Sequence, residues 1–283
     1  MAPRSLLWPD PRVKPPFGAA EVDWAHPLAA GLMCFLPFND GGNAITDLVR
    51  GTRFSRQGNV SWQPRAIGLS ANFPGATGDY FNAPSSDQFN ASTRLSVGVW
   101  LRSTTVNRSQ LLTKDTNTGR SWGLVMEVSA NSISFSVFKT GGTETVLTAS
   151  STPVNNGAWR QVVGTYRFVT DGTSVLTLYR DGVSAATRTD AVGQILSTAT
   201  EVEVGRRLYP GFLDPFTGDI GLAFIYFREL LVQDVLWLYN EPYAMLRPIV
   251  RRRYFVPAAA PPATPLHGKS QGLVMTHFNP SYR

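Results

Sequence analysis

Along much of this chain the hydrophobic positions recur at every second residue. In "LSVGVWLR", Leu95, Val97, Val99 and Leu101 fall on one side, the period of a strand with one buried face. "SWGLVMEV" repeats the pattern through Trp122, Leu124, Met126 and Val128, and "SISFSVF" through Ile133, Phe135 and Val137. "WRQVVGTYRFVTDGTSVLTLYRDGV" predicts two strands joined by a loop at Asp171-Gly172. In the first, Trp159, Val163 and Thr165 oppose Val162 and Tyr166; in the second, Val175, Thr177 and Tyr179 oppose Leu176 and Leu178. Asp181-Gly182 follows, a dipeptide favoured in tight hairpins. "IGLAFIYF" is apolar on both faces, as a central strand of a two-layer stack should be.

Helical periodicity occurs once. In "ELLVQDVLWLY", Leu231, Val235 and Leu238 stand at i, i+4 and i+7. "GLMCFLPFND", the segment Ser61 to Pro84 and "EVEVG" supply further short strands broken by Gly and Pro. About ten to fourteen strands and one short helix predict an all-β fold, a two-sheet antiparallel jelly-roll sandwich with a C-terminal helix. Residues 1–30, rich in Pro and without periodicity, read as an extended N-terminal arm, 31–242 as the sandwich, and 243–283 as a basic, Pro/Ala-rich C-terminal arm.

Composition changes this picture at the ends. The 283 residues carry a net charge of +6, and from Ala244 onward Arg247, Arg251, Arg252, Arg253, Lys269 and Arg283 stand without any Asp or Glu. The whole net charge therefore sits in the last segment and the body is neutral. "RPIVRRRYF" is too small an electrostatic footprint to make nucleic acid the expected partner. No apolar run is long enough to span a bilayer, and Pro interrupts the N-terminus before a signal-peptide core can form. A protein without a membrane span or a cleaved export signal is expected. The single cysteine, Cys34, lies in the apolar run "GLMCFLPF" and reads as an inert core thiol.

In their order, "GLMCFLPFND", "SANFPGATGDYFNAP", "LSVGVWLR", "AWRQVVGTYRFVTDGTSVLTLYRDGVSAATR" and "FTGDIGLAFIYFRELLVQDVLWLYNEP" resemble the laminin-G-like, concanavalin-A-like jelly rolls over residues 31–242. "NEPYAMLRPIVRRRYF" is similar to the ends of such domains in bacteriophage structural proteins. The resemblance implies a non-enzymatic virion protein, a capsid decoration or head-fibre protein made in the host cytoplasm. Its arms would bind neighbouring virion subunits, and a homo-oligomer is expected. Arg251, Arg252, Arg253, Met275, Phe278 and Tyr282 are the candidate contacts. The alternative is a carbohydrate-binding lectin module or tail adhesin recognising a cell-surface glycan.

Candidate chemistry is sparse. Glycan-hydrolysing relatives carry paired carboxylates on one strand. Glu201 and Glu203 offer such a pair, but the longer acidic alternation is missing, so both read as solvent-facing opposite buried Val202 and Val204, and no catalytic residue is assigned. Calcium, the one cofactor the resemblance allows, would use Asp79 in "GATGDYF" and Asp219 in "FTGDIG"; each also suits a turn-forming Asp. His26, His267 and His277 are too scattered for zinc. Trp100, Trp122 and Trp159 read as core, which leaves Tyr80, Tyr209 and Phe212 as glycan-stacking candidates.

Overall fold

The alternating segments pair as strands. The computed structural model describes residues 8–84, 87–116, 119–128, 132–139, 144–150, 153–170, 173–190, 193–207 and 214–249. In chain order the elements are β1 (Ala20–Val22), β2 (Leu32–Leu36), β3 (Ala44–Thr46), β4 (Arg53–Gln57), β5 (Ser61–Arg65), β6 (Gly68–Pro74), β7 (Tyr80–Ala83), β8 (Arg94–Arg102), β9 (Ser109–Thr116), β10 (Gly119–Met126), β11 (Ile133–Phe138), β12 (Glu144–Ala149), β13 (Arg160–Thr170), β14 (Thr173–Arg180), β15 (Val183–Asp190), β16 (Val202–Val204), β17 (Thr217–Tyr226), α1 (Val232–Asn240) and β18 (Leu246–Pro248). A front sheet has the order β12-β11-β10-β9-β16-β7-β4-β3, and a back sheet the order β15-β14-β13-β8-β17-β6-β5, with β2 also pairing β17.

Between the sheets lies the main core. The front sheet contributes the aligned row Leu147, Phe135, Leu124, Leu112, Val204 and Phe81. The back sheet answers with Leu95, Val97, Val99, Leu101, Val162, Tyr166, Leu176 and Leu178, all buried. Gly164 is required here because a Cβ would drive into the Phe135 ring from the opposite sheet. The β14–β15 turn has φ of 51° at Asp181 and 80° at Gly182, the doubly left-handed backbone of a type I′ hairpin.

A second core lies on the outer face of the back sheet. Val163, Tyr179, Leu222, Phe224 and Tyr226 point away from the front sheet and are covered by Val235 and Leu238 of α1, by Tyr243 to Leu246, and by Ala20, Val22, Leu28 and Ala29. This explains why β17 is apolar on both faces.

The N-terminal segment departs from the expected arm over 1–30: from Trp8 onward it is packed as a strap. β1 pairs with β18 in the register Ala20↔Pro248 to Val22↔Leu246, and Trp8 N–H donates to the Leu246 carbonyl at 2.8 Å. Lys14 is buried, its Nζ donating to the carbonyls of Leu69 and of Gly221, the latter at 2.6 Å. The physical reason is the apolar outer face of the back sheet, which needs a cover. For the same reason the folded unit continues past 242, through Tyr243 to Leu246. The chain divides into a unit ending at Ile249 and a second beginning at Val250, and the C-terminal arm beyond Ile249 lies outside the described residues.

Smaller differences have local causes. Eighteen strands exceed the expected range because three-residue strands such as β1, β3 and β18 are too short to show a period. Leu231 is the residue before α1 and is exposed, so the helix buries Val235 and Leu238 only. Val128 lies past the end of β10 and is exposed. Trp122 is fully buried as expected, whereas Trp100 and Trp159 are only partly covered.

Candidate functional site

The outer face of the front sheet is polar. Its aligned row runs Ser136, Gly123, Thr113, Glu203, Asn82 and Ser55. Glu203 stands on this face, yet it is buried, with 1% exposure, and takes Arg206 at 2.7 Å. That corrects the expectation of a solvent-facing glutamate: a guanidinium three residues on folds over it and replaces water. Glu201 accepts from Asn82 Nδ2 at 2.8 Å. The two glutamates are therefore engaged by different neighbours and do not form an acid-and-nucleophile pair facing a shared space.

Other charges on this face are matched to one another. Arg207 bridges Asp115 at 3.3 Å and Asp214 at 3.2 Å. Arg120 takes the second oxygen of Asp115 at 2.9 Å, and Arg108 joins Glu127 at 3.2 Å. Lys114 is fully buried and donates to the Thr200 carbonyl at 2.7 Å; burial pulls its pKa down to about 8. Such closed networks hold loops in place.

Asp79 and Tyr80 sit beside this face. Asp79 is buried and accepts from the backbone N–H of Asn59 at 2.7 Å and of Ala76 at 3.0 Å, the behaviour of a turn-forming Asp. The Arg206 guanidinium lies 3.4 Å over the Tyr80 ring and covers one of its faces. Tyr209 and Phe212, and the partner candidates Arg251, Arg252, Arg253, Met275, Phe278 and Tyr282, lie outside the described residues. So do His267 and His277. His26 accepts the Leu28 N–H at 3.2 Å and meets the Trp237 ring edge-on at 4.9 Å. Among the described residues no group of three or more His, Cys, Asp or Glu could hold a metal ion. Cys34 is fully buried, and burial pushes its thiol pKa up, which keeps it in the unreactive form.

A concavity lies at one end of the back sheet, around Asp219. It is a groove of about 480 Å³ lined by Asn72, Arg102, Ser103, Thr104, Thr217 and Asp219 among others, within the range of ligand sites. Asp219 is 1% exposed. One of its oxygens accepts from Arg65 at 3.1 Å and Asn72 at 3.0 Å, the other from Arg102 Nε at 3.0 Å. Gly218, with φ of 140°, passes so close to the Arg102 carbonyl that no Cβ fits. Ser103 Oγ donates to the Thr217 carbonyl at 2.7 Å and accepts from Thr105 N–H at 3.1 Å, so the wall is fixed from both sides.

With both oxygens taken by three donors, Asp219 serves as an anchor for cationic side chains. Two guanidiniums against one carboxylate leave the cluster with one net positive charge, and Arg65 Nε is buried without a hydrogen-bond partner among the described residues. The groove thus offers the Arg102 guanidinium, an amide and hydroxyls, with the net positive charge of the cluster beside it. Sequence reasoning singled out Asp219 but missed Arg65, Asn72 and Arg102. The strands that carry them were visible, β8 by its alternation; the pairing that brings them together beside β17 was not.

Several solved structures share the architecture. The binding domain of Paraclostridial Mosquitocidal Protein 1 aligns with a TM-score of 0.61 at 15% identity, over 75% of this chain and 52% of that one. The binding domain of botulinum neurotoxin serotype G gives 0.58 at 13%, over 74% and 50%. The binding domain of botulinum neurotoxin DC, in complex with rat synaptotagmin II, gives 0.55 at 14%, over 75% and 51%. The chain spans about half the length of these structures, and at such identities the likeness is one of fold. No curated protein matches the sequence. A family model described as the concanavalin A-like lectin/glucanases superfamily matches residues 75–236, more than half of the length, and to that superfamily the chain belongs.

Proposed function

We propose that this chain is a non-catalytic, lectin-like binding module whose groove takes an anionic, hydroxylated ligand such as the acidic terminal sugar of a cell-surface glycan. The observation that carries this reading is the Arg102–Asp219 pair lining the groove, with Arg65 held on the same carboxylate, flanked by Asn72 and by the hydroxyl-bearing Ser103, Thr104 and Thr217. Guanidiniums held by a buried carboxylate are pre-positioned for carboxylate recognition and lose little freedom on binding. The solved structures of similar fold are described as binding domains, which supports recognition over catalysis. The virion role expected from the C-terminal segment leans on residues beyond Ile249, outside the described ones, and so ranks behind the groove.

A glycan array probed with the full chain tests the proposal. Sialylated or uronate-terminated glycans should bind and their neutral counterparts should not. Arg102→Ala should weaken binding about tenfold, the value of one charge-assisted hydrogen bond, and chelator should leave it unchanged. Binding to no acidic glycan, or binding indifferent to Arg102→Ala, would remove the reading.

A further inference from the structure

Away from the groove, a smaller pocket of about 170 Å³ opens where the N-terminal strap, the back sheet and the end of α1 converge. Its walls include Trp100, Leu222, Ile67, Tyr239 and Tyr243, with Arg12 at the strap side. Trp100 and Tyr239 stack with planes 3° apart and centroids at 5.4 Å, which fixes the indole. At the share of volume water takes in the liquid, about 30 Å³ each, the space would hold roughly five or six molecules. A single six-membered ring with a short substituent would fill it as well.

The polar side chains that line this pocket are Arg12, Trp100, Tyr239, Asn240 and Tyr243. Trp100 Nε1 is buried and has no hydrogen-bond partner among the described residues, and a buried donor left unpaired costs about 1–3 kcal/mol. Opposite Trp100 on the neighbouring strand, Gln161 is fully buried and both its amide atoms are likewise unpartnered. The Tyr243 hydroxyl keeps its proton, because burial raises its pKa. Arg12 is exposed and makes no ion pair among the described residues, and no carboxylate lines the pocket. An occupant suited to these walls brings an apolar ring to the aromatic and aliphatic side chains and acceptor oxygens to the guanidinium.

We propose that this pocket is a second ligand site, for a small aromatic carboxylate whose ring packs on Trp100, Ile67 and Leu222 and whose carboxylate faces Arg12. The site is independent of the groove around Asp219.

Calorimetric titration of the full chain with 4-hydroxybenzoate and indole-3-acetate tests it, with benzyl alcohol as the neutral control. Saturable sub-millimolar binding of at least one acid and not of the alcohol is expected. Arg12→Gln should weaken it about tenfold and erase the preference for the acid; Trp100→Phe, which keeps a ring and deletes the N–H, should also cost about tenfold. Arg102→Ala should leave it unchanged. If Trp100→Phe fails to fold, the exposed Arg12 variant still decides. No saturable binding of either acid, binding indifferent to Arg12→Gln, or a crystal soaked with the acids that shows only ordered water in the pocket overturns the proposal.

Discussion

The outer face of the front sheet carries Thr113, Glu203 and Asp115 and closes itself with Arg206, Arg207 and Arg120. The outer face of the back sheet carries Val163, Leu222, Phe224 and Tyr226 and is closed by the strap and α1. A two-layer sandwich has two spare faces, and each must satisfy its own chemistry: charge matching on one side, apolar burial on the other. The front solution draws mainly on residues near the sheet. The back one draws on both ends of the folded unit, and so makes the strap part of the domain.

The largest effect should come from deleting residues 1–30. That removes β1 and the buried Leu28 and Lys14 and lays bare the second core; calorimetry should show loss of the cooperative transition or a fall in Tm of more than about 10 °C, since a few kcal/mol moves a domain that far. A retained Tm would mean that the strap is an ornament. Next, Phe224→Ala should cost about 3–5 kcal/mol in urea unfolding through the cavity it leaves. On the opposite face, Arg207→Ala removes one cationic partner each from Asp115 and Asp214, which keep Arg120 and Arg108, and should cost about 1–3 kcal/mol, whereas Arg207→Met together with Asp115→Leu should recover part of that loss. If the double variant is worse than the single one, the front face depends on its charges for more than pairing.

A smaller effect follows from the two buried lysines, Lys14 of the strap and Lys114 on the core side of the front sheet. Burial lowers Lys14 to about 7 and Lys114 to about 8. Both values lie below those of the unfolded chain, so between about pH 7 and 10.5 the unfolded state binds more protons and stability rises with pH. Below that window both states are protonated and this contribution is at its minimum. Urea unfolding at pH 7 and 9.5 should show the rise, and Lys14→Met, which keeps the aliphatic stem, should flatten it. The smallest expected effect is that of chelator on Tm, which should be nil, because Asp79 and Asp219 already accept from protein donors through both oxygens.

The alternation of β8, β11, β13 and β14 made the sandwich legible from sequence, since a period of two survives wherever one face is buried. Asp181-Gly182 declared its own turn. The strap did not, because its buried side chains come singly among prolines and its ladder is three residues long. Glu203 was misplaced for a related reason: its partner follows across a turn, where no helical or strand period links the two. Asp219 takes its guanidiniums from 154 and 117 residues away, and separations of that size are set by strand order, which local pattern does not encode.

The pairing of β1 with β18 brings the entry and exit of the folded unit side by side, Ala20 against Pro248. Tension applied through both ends would therefore load this ladder at one end and peel it one rung at a time, which takes far less force than sliding two strands past each other. Mechanical failure would begin with the strap lifting from the back sheet while the sandwich between the sheets stays intact.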